Sequence, residues 1–260
     1  YDLAGRGRPK DLLRVRSRLP ARGYDGTTWR ATMGAVEAKL EMVSLRRRLE
    51  EVANPERAQA METYLRDQFP CLGVAAADRR VATRPTLEVS KGVTTDELMA
   101  FAMACWGERE REFAYVACDA LRANVARIHA EHLDDLRTLI TTRSWWETVD
   151  PLATRVVGPM ITAHPELIAG MDHWVRSDDI WLARTAILHQ LMYGEDTDPV
   201  RLFTYARLRA GDTEFFIRKA IGWALRQYGR IDPGAVRRFV SIHERELSGL
   251  TRREALKHLG

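Results

Sequence analysis

The chain has 260 residues, 45% of them hydrophobic and 29% charged, with a formal net charge of +4. That is enough apolar material for one large domain or a repeat array with its own core, and it excludes a disordered or staple-dependent chain. Apolar runs fall well short of the ~20 residues a membrane span needs, and no signal-peptide pattern opens the chain, so a cytoplasmic protein is expected.

The first 30 residues, rich in Arg and Gly, carry 8 basic and 3 acidic side chains and read as a basic arm preceding a main domain over 31–260. "RGRP", Arg6 to Pro9, matches the core of a short minor-groove-binding element, but four residues are a weak signal and a plain solvated arm is the expectation. Residues 31–200 sum to −8 and residues 201–260 to +7, so the ends are the basic parts. Of the 40 basic residues 35 are arginine, which suits bidentate phosphate contact without proving a nucleic-acid partner.

From about residue 32 onward the apolar residues recur at helical spacing and no β-alternation is flanked by hairpin turns, which predicts an all-α fold. Capping boxes are expected at Thr94/Glu97, Ser144/Glu147 and Thr251/Glu254, where hydroxyl and carboxylate satisfy each other's free backbone donors. Pro55, Pro165 and Pro233 are expected in first helical turns, where the amide hydrogen they lack has no partner anyway. Cys71, Cys105 and Cys118 lie in apolar runs without C-x-x-C pairing and are expected as buried, reduced thiols. Tyr64, in "METYLRDQF", either packs in the core or approaches a cleft from an early helix.

A weak period of about 34 runs through the second half. "WLARTAILHQL" (181–191) overlies "FFIRKAIGWAL" (215–225), pairing Trp181 with Phe215 and Arg184 with Arg218, and Trp146 precedes Trp181 by 35. Helix pairs repeating at this length predict an α-solenoid superhelix of HEAT-like repeats, with a plain helical bundle as the alternative.

Within "SWWETVDPLA" (144–153), Trp146 and Asp150 are four apart and share a helix face, presenting an indole beside a carboxylate. Glu147 is assigned to the cap, and Pro151 is expected to kink the element. The bland reading puts both tryptophans in the core and Asp150 in water. Two further clusters bear on the choice: Arg184 among apolar positions, and Arg218, Lys219, Trp223 and Arg226 along one helix. Guanidiniums for phosphate, indoles for sugar or base and one acid for chemistry together suit a nucleic acid. The seven histidines show no metal spacing and no glycine-rich phosphate loop occurs, so neither metal nor nucleotide cofactor is expected.

"SWWETVDPLA", "AHPELI", "SDDIWLARTAILHQL", "EFFIRKAIGWALRQYGRIDPGAV" and "LTRREALKHL", preceded by "NPERAQAMETYLRDQFPCLGV" and "DRR", resemble the AlkD family of bacterial DNA alkylation-repair glycosylases over roughly residues 52 to 259. The resemblance implies a HEAT-like superhelix that binds double-stranded DNA and removes N3- and N7-alkylated purines without flipping the base. It places the catalytic aspartate at Asp150, the cleft tryptophans at Trp146 and Trp223, and cleft arginines at Arg184 and Arg226. A bacterial, nucleoid-associated monomer acting in base excision repair is expected, and a non-catalytic scaffold or DNA-structure binder is the alternative.

Overall fold

The structure is a computed structural model that describes residues 42–259, all helical where regular. The basic arm, Arg6 to Pro9 included, lies outside the described residues.

Seven helices form one file, each packed on the next: α1 (Met42–Glu50), α3 (Ala76–Ser90), α5 (Arg111–Ala123), α7 (Trp146–Leu152), α10 (Ile180–Leu188), α12 (Phe215–Tyr228) and α14 (Gly249–Leu256). Between them the chain forms α2 (Pro55–Tyr64), α4 (Thr95–Gly107), α6 (Leu133–Thr141), α8 (Gly158–Ala163), α9 (Ile168–Trp174), α11 (Pro199–Leu208) and α13 (Pro233–Ile242). This is a solenoid of helix pairs, and its core is continuous from Met42 to Leu259 because each pair buries its apolar face on the next.

Side-chain hydrogen bonds repeat the period seen in the sequence. Asn124 Nδ2 donates to Ser90 Oγ at 2.9 Å, Trp106 Nε1 to the Thr142 carbonyl at 2.8 Å, and Thr251 Oγ1 to the Arg218 carbonyl at 3.1 Å, across separations of 34, 36 and 33 residues. Polar groups on one helix thus satisfy those of the next, as burial requires. Across the α10–α12 junction Phe216 packs against Trp181, with ring centroids 5.0 Å apart.

Pro55, Pro165 and Pro233 all occupy first helical turns. The capping box at Thr94/Glu97 is formed. The other two are not. Ser144 Oγ donates to the Ile140 carbonyl at 2.6 Å and Trp145 takes the cap position, while Ser248, not Thr251, caps α14. In both cases cations from neighbouring helices claim the glutamate: Arg111 takes Glu147, and Lys219 with Arg226 takes Glu254. All three cysteines are free and buried, and burial pushes the Cys71 and Cys118 thiols up to about 12, which leaves them unreactive. Among the described residues no helix is long and apolar enough to cross a membrane.

Pro151 lies inside α7, where it removes the donor for the Glu147 carbonyl, and the chain rewinds as a π turn over Ala153–Val157 before α8 continues. Gly158 then passes against the carbonyl of His189 at a spacing that admits no side chain. His189 is 1% exposed and Nδ1 donates to the Ala186 carbonyl at 2.6 Å, so the ring is neutral with Nε2 unpartnered. Burial holds its pKa down at about 4, with Arg201, Asp172 and Asp198 acting on it less and in opposing directions.

The unfolded chain takes up this proton near pH 6.5 and the folded chain only near 4. Stability is therefore full above about 6.5 and declines as pH falls towards 4, by on the order of 3 kcal/mol from this group. Urea unfolding of the protein and of His189→Leu across that range checks it: the variant should lose most of the slope, and an unchanged slope would assign the acid sensitivity elsewhere.

Candidate active site around Asp150

The start of α7 is fixed by a buried arginine. Arg111, fully buried on α5, donates from Nε to Glu147 Oε1 at 2.6 Å, from Nη1 to the Arg143 carbonyl at 2.8 Å and from Nη2 to Thr148 Oγ1 at 2.8 Å. Its guanidinium also stacks 3.8 Å from the centroid of Phe69. Arg143, in the left-handed region at φ 47°, turns the chain into α7 and ties back to the Trp106 carbonyl at 2.6 Å. Burial raises the Glu147 carboxyl above its ordinary value in spite of Arg111 beside it. Glu147 is structural, as expected, but as an anchor rather than a cap.

The two tryptophans part company from this point. Trp145 joins an aromatic cluster with Trp181 and Phe216, at centroid distances of 5.9 and 5.1 Å, sealing α7 against the following two file helices. Trp146 stays half-buried and meets the ring of Tyr64 edge-on at 5.6 Å. Tyr64 ends α2 and is 61% exposed, which rules out core packing and brings it to Trp146 at the surface.

One turn on, Asp150 is only 8% exposed. Arg184, 4% exposed on α10, grips it with a two-pronged fork: Nε to Oδ1 at 2.6 Å and Nη2 to Oδ2 at 2.7 Å. The remaining arm, Nη1, donates to the Phe216 carbonyl on α12. The planar guanidinium matches the carboxylate bidentately, which lysine cannot do. Each nitrogen of the Arg184 guanidinium thus donates once to protein, which uses three of its five N–H groups. Two of the roughly four acceptor positions of the carboxylate remain.

The cations of α12 form a separate group. Phe216, Lys219, Trp223 and Arg226 follow one another at three- and four-residue steps, one helix face, and Trp223 is half-buried on it. Lys219 and Arg226 both reach Glu254 on α14, whereas Arg218 turns away and donates from Nε to the Asp212 carbonyl at 2.6 Å. The structure therefore joins Tyr64 to Trp146 and Asp150 to Arg184 through direct contacts, the two pairs one turn apart along α7, and Lys219 to Arg226 through Glu254. Phe216 links the two groups. Arg111 and Phe216 escaped the sequence reading, and Glu254 figures in it only as half of a capping box: Arg111 sits in the charged string "GEREREF", which resembles a solvated turn. No group of His, Cys, Asp or Glu among the described residues is placed to hold a metal ion.

An all-helical solenoid with a buried aspartate–arginine pair one turn from a half-buried tryptophan, joined through Phe216 to a helix face that carries two cations, is defined as a class by both its fold and its site. The family of DNA alkylation repair enzymes matches residues 45–259, and the chain belongs to it. Its role thus lies in the repair of alkylation damage, with DNA as the substrate. The solved structure of a predicted DNA alkylation repair enzyme from Enterococcus faecalis is similar at 31% identity and a TM-score of 0.75, covering 80% of this chain and 97% of that one. No protein of curated function matches the sequence.

Removing Arg184 alone strands a buried charge, which typically costs ~3–5 kcal/mol, whereas replacing both partners by apolar groups costs far less. Arg184→Met should therefore unfold at clearly lower urea than Arg184→Met/Asp150→Leu. A double variant no more stable than the single one would show that the fork does not hold this part of the fold.

Proposed function

We propose that the protein is a monofunctional DNA glycosylase that hydrolyses the N-glycosidic bond of N3- and N7-alkylated purines, with Asp150 as the catalytic carboxylate. The observation that carries this reading is the fork itself. A carboxylate nearly out of water and paired on both oxygens with an arginine, one turn from a half-buried tryptophan, is a preorganised acidic group for charge stabilisation.

A purine alkylated at N3 or N7 already carries positive charge and leaves without a strong general acid. As the C1′–N bond stretches, positive charge moves onto the deoxyribose. Asp150 stabilises that charge and, through its free acceptor positions, holds the attacking water. Because Arg184 fixes both oxygens, little reorganisation is needed when the charge develops. The indole faces of Trp146 and Trp223 are negative and attract the polarised sugar, with Tyr64 bracing Trp146 from the side. Lys219 and Arg226 supply the positive face for backbone phosphates.

The substrate reading follows from charge. A site working on sugar and backbone, without extruding the base, selects for the leaving group rather than for size. Release should be robust from duplexes carrying N7-methylguanine or a bulky cationic N3 adduct and absent from uracil. Efficient uracil removal, or rejection of every bulky cationic adduct, would count against a charge-selecting site.

Asp150→Asn removes the charge and nearly keeps the shape. Base release in single-turnover assays should fall by roughly 10² to 10³, with duplex binding retained and the helical circular dichroism unchanged. Release at the unmutated rate would sink the assignment of Asp150.

A further inference from the structure

The last helix of the file lies unusually close to its neighbour. A side chain on Gly222 of α12 would come within 2.5 Å of Glu254 Cβ and 3.1 Å of the Thr251 carbonyl. The missing side chain lets α14 settle over the face of α12 that carries Lys219, Trp223 and Arg226, and it sets Glu254 above that face.

Glu254 divides its two oxygens between the two cations. Oε1 accepts from Lys219 Nζ at 2.8 Å and Oε2 from Arg226 Nη1 at 2.5 Å. Burial alone would raise this carboxyl, yet Lys219 and Arg226 hold it below its ordinary value, so it is charged at neutral pH. The three side chains are 20, 34 and 23% exposed in that order, open to solvent on one side. Two anionic oxygens shared between a lysine and an arginine are also what a backbone phosphate presents.

We propose that Glu254 is a built-in stand-in for a DNA phosphate, occupying the anion site formed by Lys219 and Arg226 and yielding it when duplex binds. This rests on the reading above of the α12 face as the DNA interface. The contrast with Asp150 supports it. The Arg184 fork is buried and cannot be exchanged, whereas a partly exposed ion pair is weakly held and screened by salt. A polyanion that gains entropy by shedding condensed counterions can displace such a pair. Until displaced, Glu254 keeps both cations extended and paired. Afterwards it lies beside a phosphate and repels it. Its net effect is to weaken binding to duplex and to flatten the dependence of binding on salt.

The test is Glu254→Gln, which keeps the side-chain length and an oxygen for Arg226 while removing the charge. Affinity of the whole protein for a short undamaged duplex is measured by fluorescence anisotropy between 50 and 200 mM salt. Each phosphate neutralised adds about 0.9 to the slope of log K against log salt. Removing the one charge that opposes the phosphate should therefore steepen it by up to about 0.9, so that the gain in affinity on going from 200 to 50 mM becomes roughly threefold larger than in the unmutated protein. Glu244, paired with Arg252 at 2.6 Å and 68% exposed, is a carboxylate of equal charge nearby. Glu244→Gln should change the slope much less. Unchanged or weaker binding by Glu254→Gln, or equal steepening by Glu244→Gln, overturns the proposal. If the unmutated protein does not bind duplex at 50 mM salt, the DNA reading of this face fails instead.

Discussion

A carboxylate can stay ionised out of water only where a cation is built beside it, and the pairing of Asp150 with Arg184 imposes that condition on the whole second half of the molecule. Isolated, the Asp150 charge would be expelled or neutralised. Gripped by the fork, it needs Arg184 at one position and orientation, and those depend on α10 lying against α7 and α12 at a fixed register. The aromatic cluster of Trp145, Trp181 and Phe216 supplies that register: three large rings from the same three helices pack at centroid distances of 5.0 to 5.9 Å. Apolar packing places the helices, and the buried ion pair then fixes one alignment among those the packing allows.

The same relation recurs along the file. Arg111 spans α5 and α7 as Arg184 spans α7, α10 and α12, and each closes its donors on a carboxylate and a carbonyl of adjacent elements. What differs is exposure. Arg111 and Arg184 are sealed and act as fixed joints, while Lys219 and Arg226 near the end of the file keep one side in water. The molecule thus grades from structural cations to available ones along the direction in which its net charge turns positive.

The fold was legible because helical periodicity and a repeat near 34 residues are local properties of the chain, and so were the first-turn prolines and the Thr94/Glu97 box. The failures share one cause. Ser144/Glu147 and Thr251/Glu254 have the spacing of a capping box, but a tertiary guanidinium or ammonium outbids a backbone amide for a glutamate, and nothing within four residues reveals that such a cation is near. Arg184 illustrates the same limit from the other side. Its type and helix were readable, and its partner was not, because Asp150 lies 34 residues away and only the stacking of repeats brings them together. Trp145 and Trp146 are chemically identical in sequence and both half-buried, but with the extended backbone of Trp145 before α7 one ring joins Trp181 and Phe216 and the other meets Tyr64.

Solenoids ordinarily tolerate gain or loss of whole repeats, since each unit touches only its neighbours and the ends remain interchangeable. This one cannot do so everywhere. A single guanidinium on α10 reaches a side chain on α7 and a main-chain carbonyl on α12, so an extra helix pair inserted at either junction would move one of its partners out of reach. The stretch from α7 to α12 is therefore fixed in number as well as in sequence. Ahead of α5, Tyr64 of α2 meets Trp146 of α7, so a pair inserted between them would likewise carry that ring away from the site.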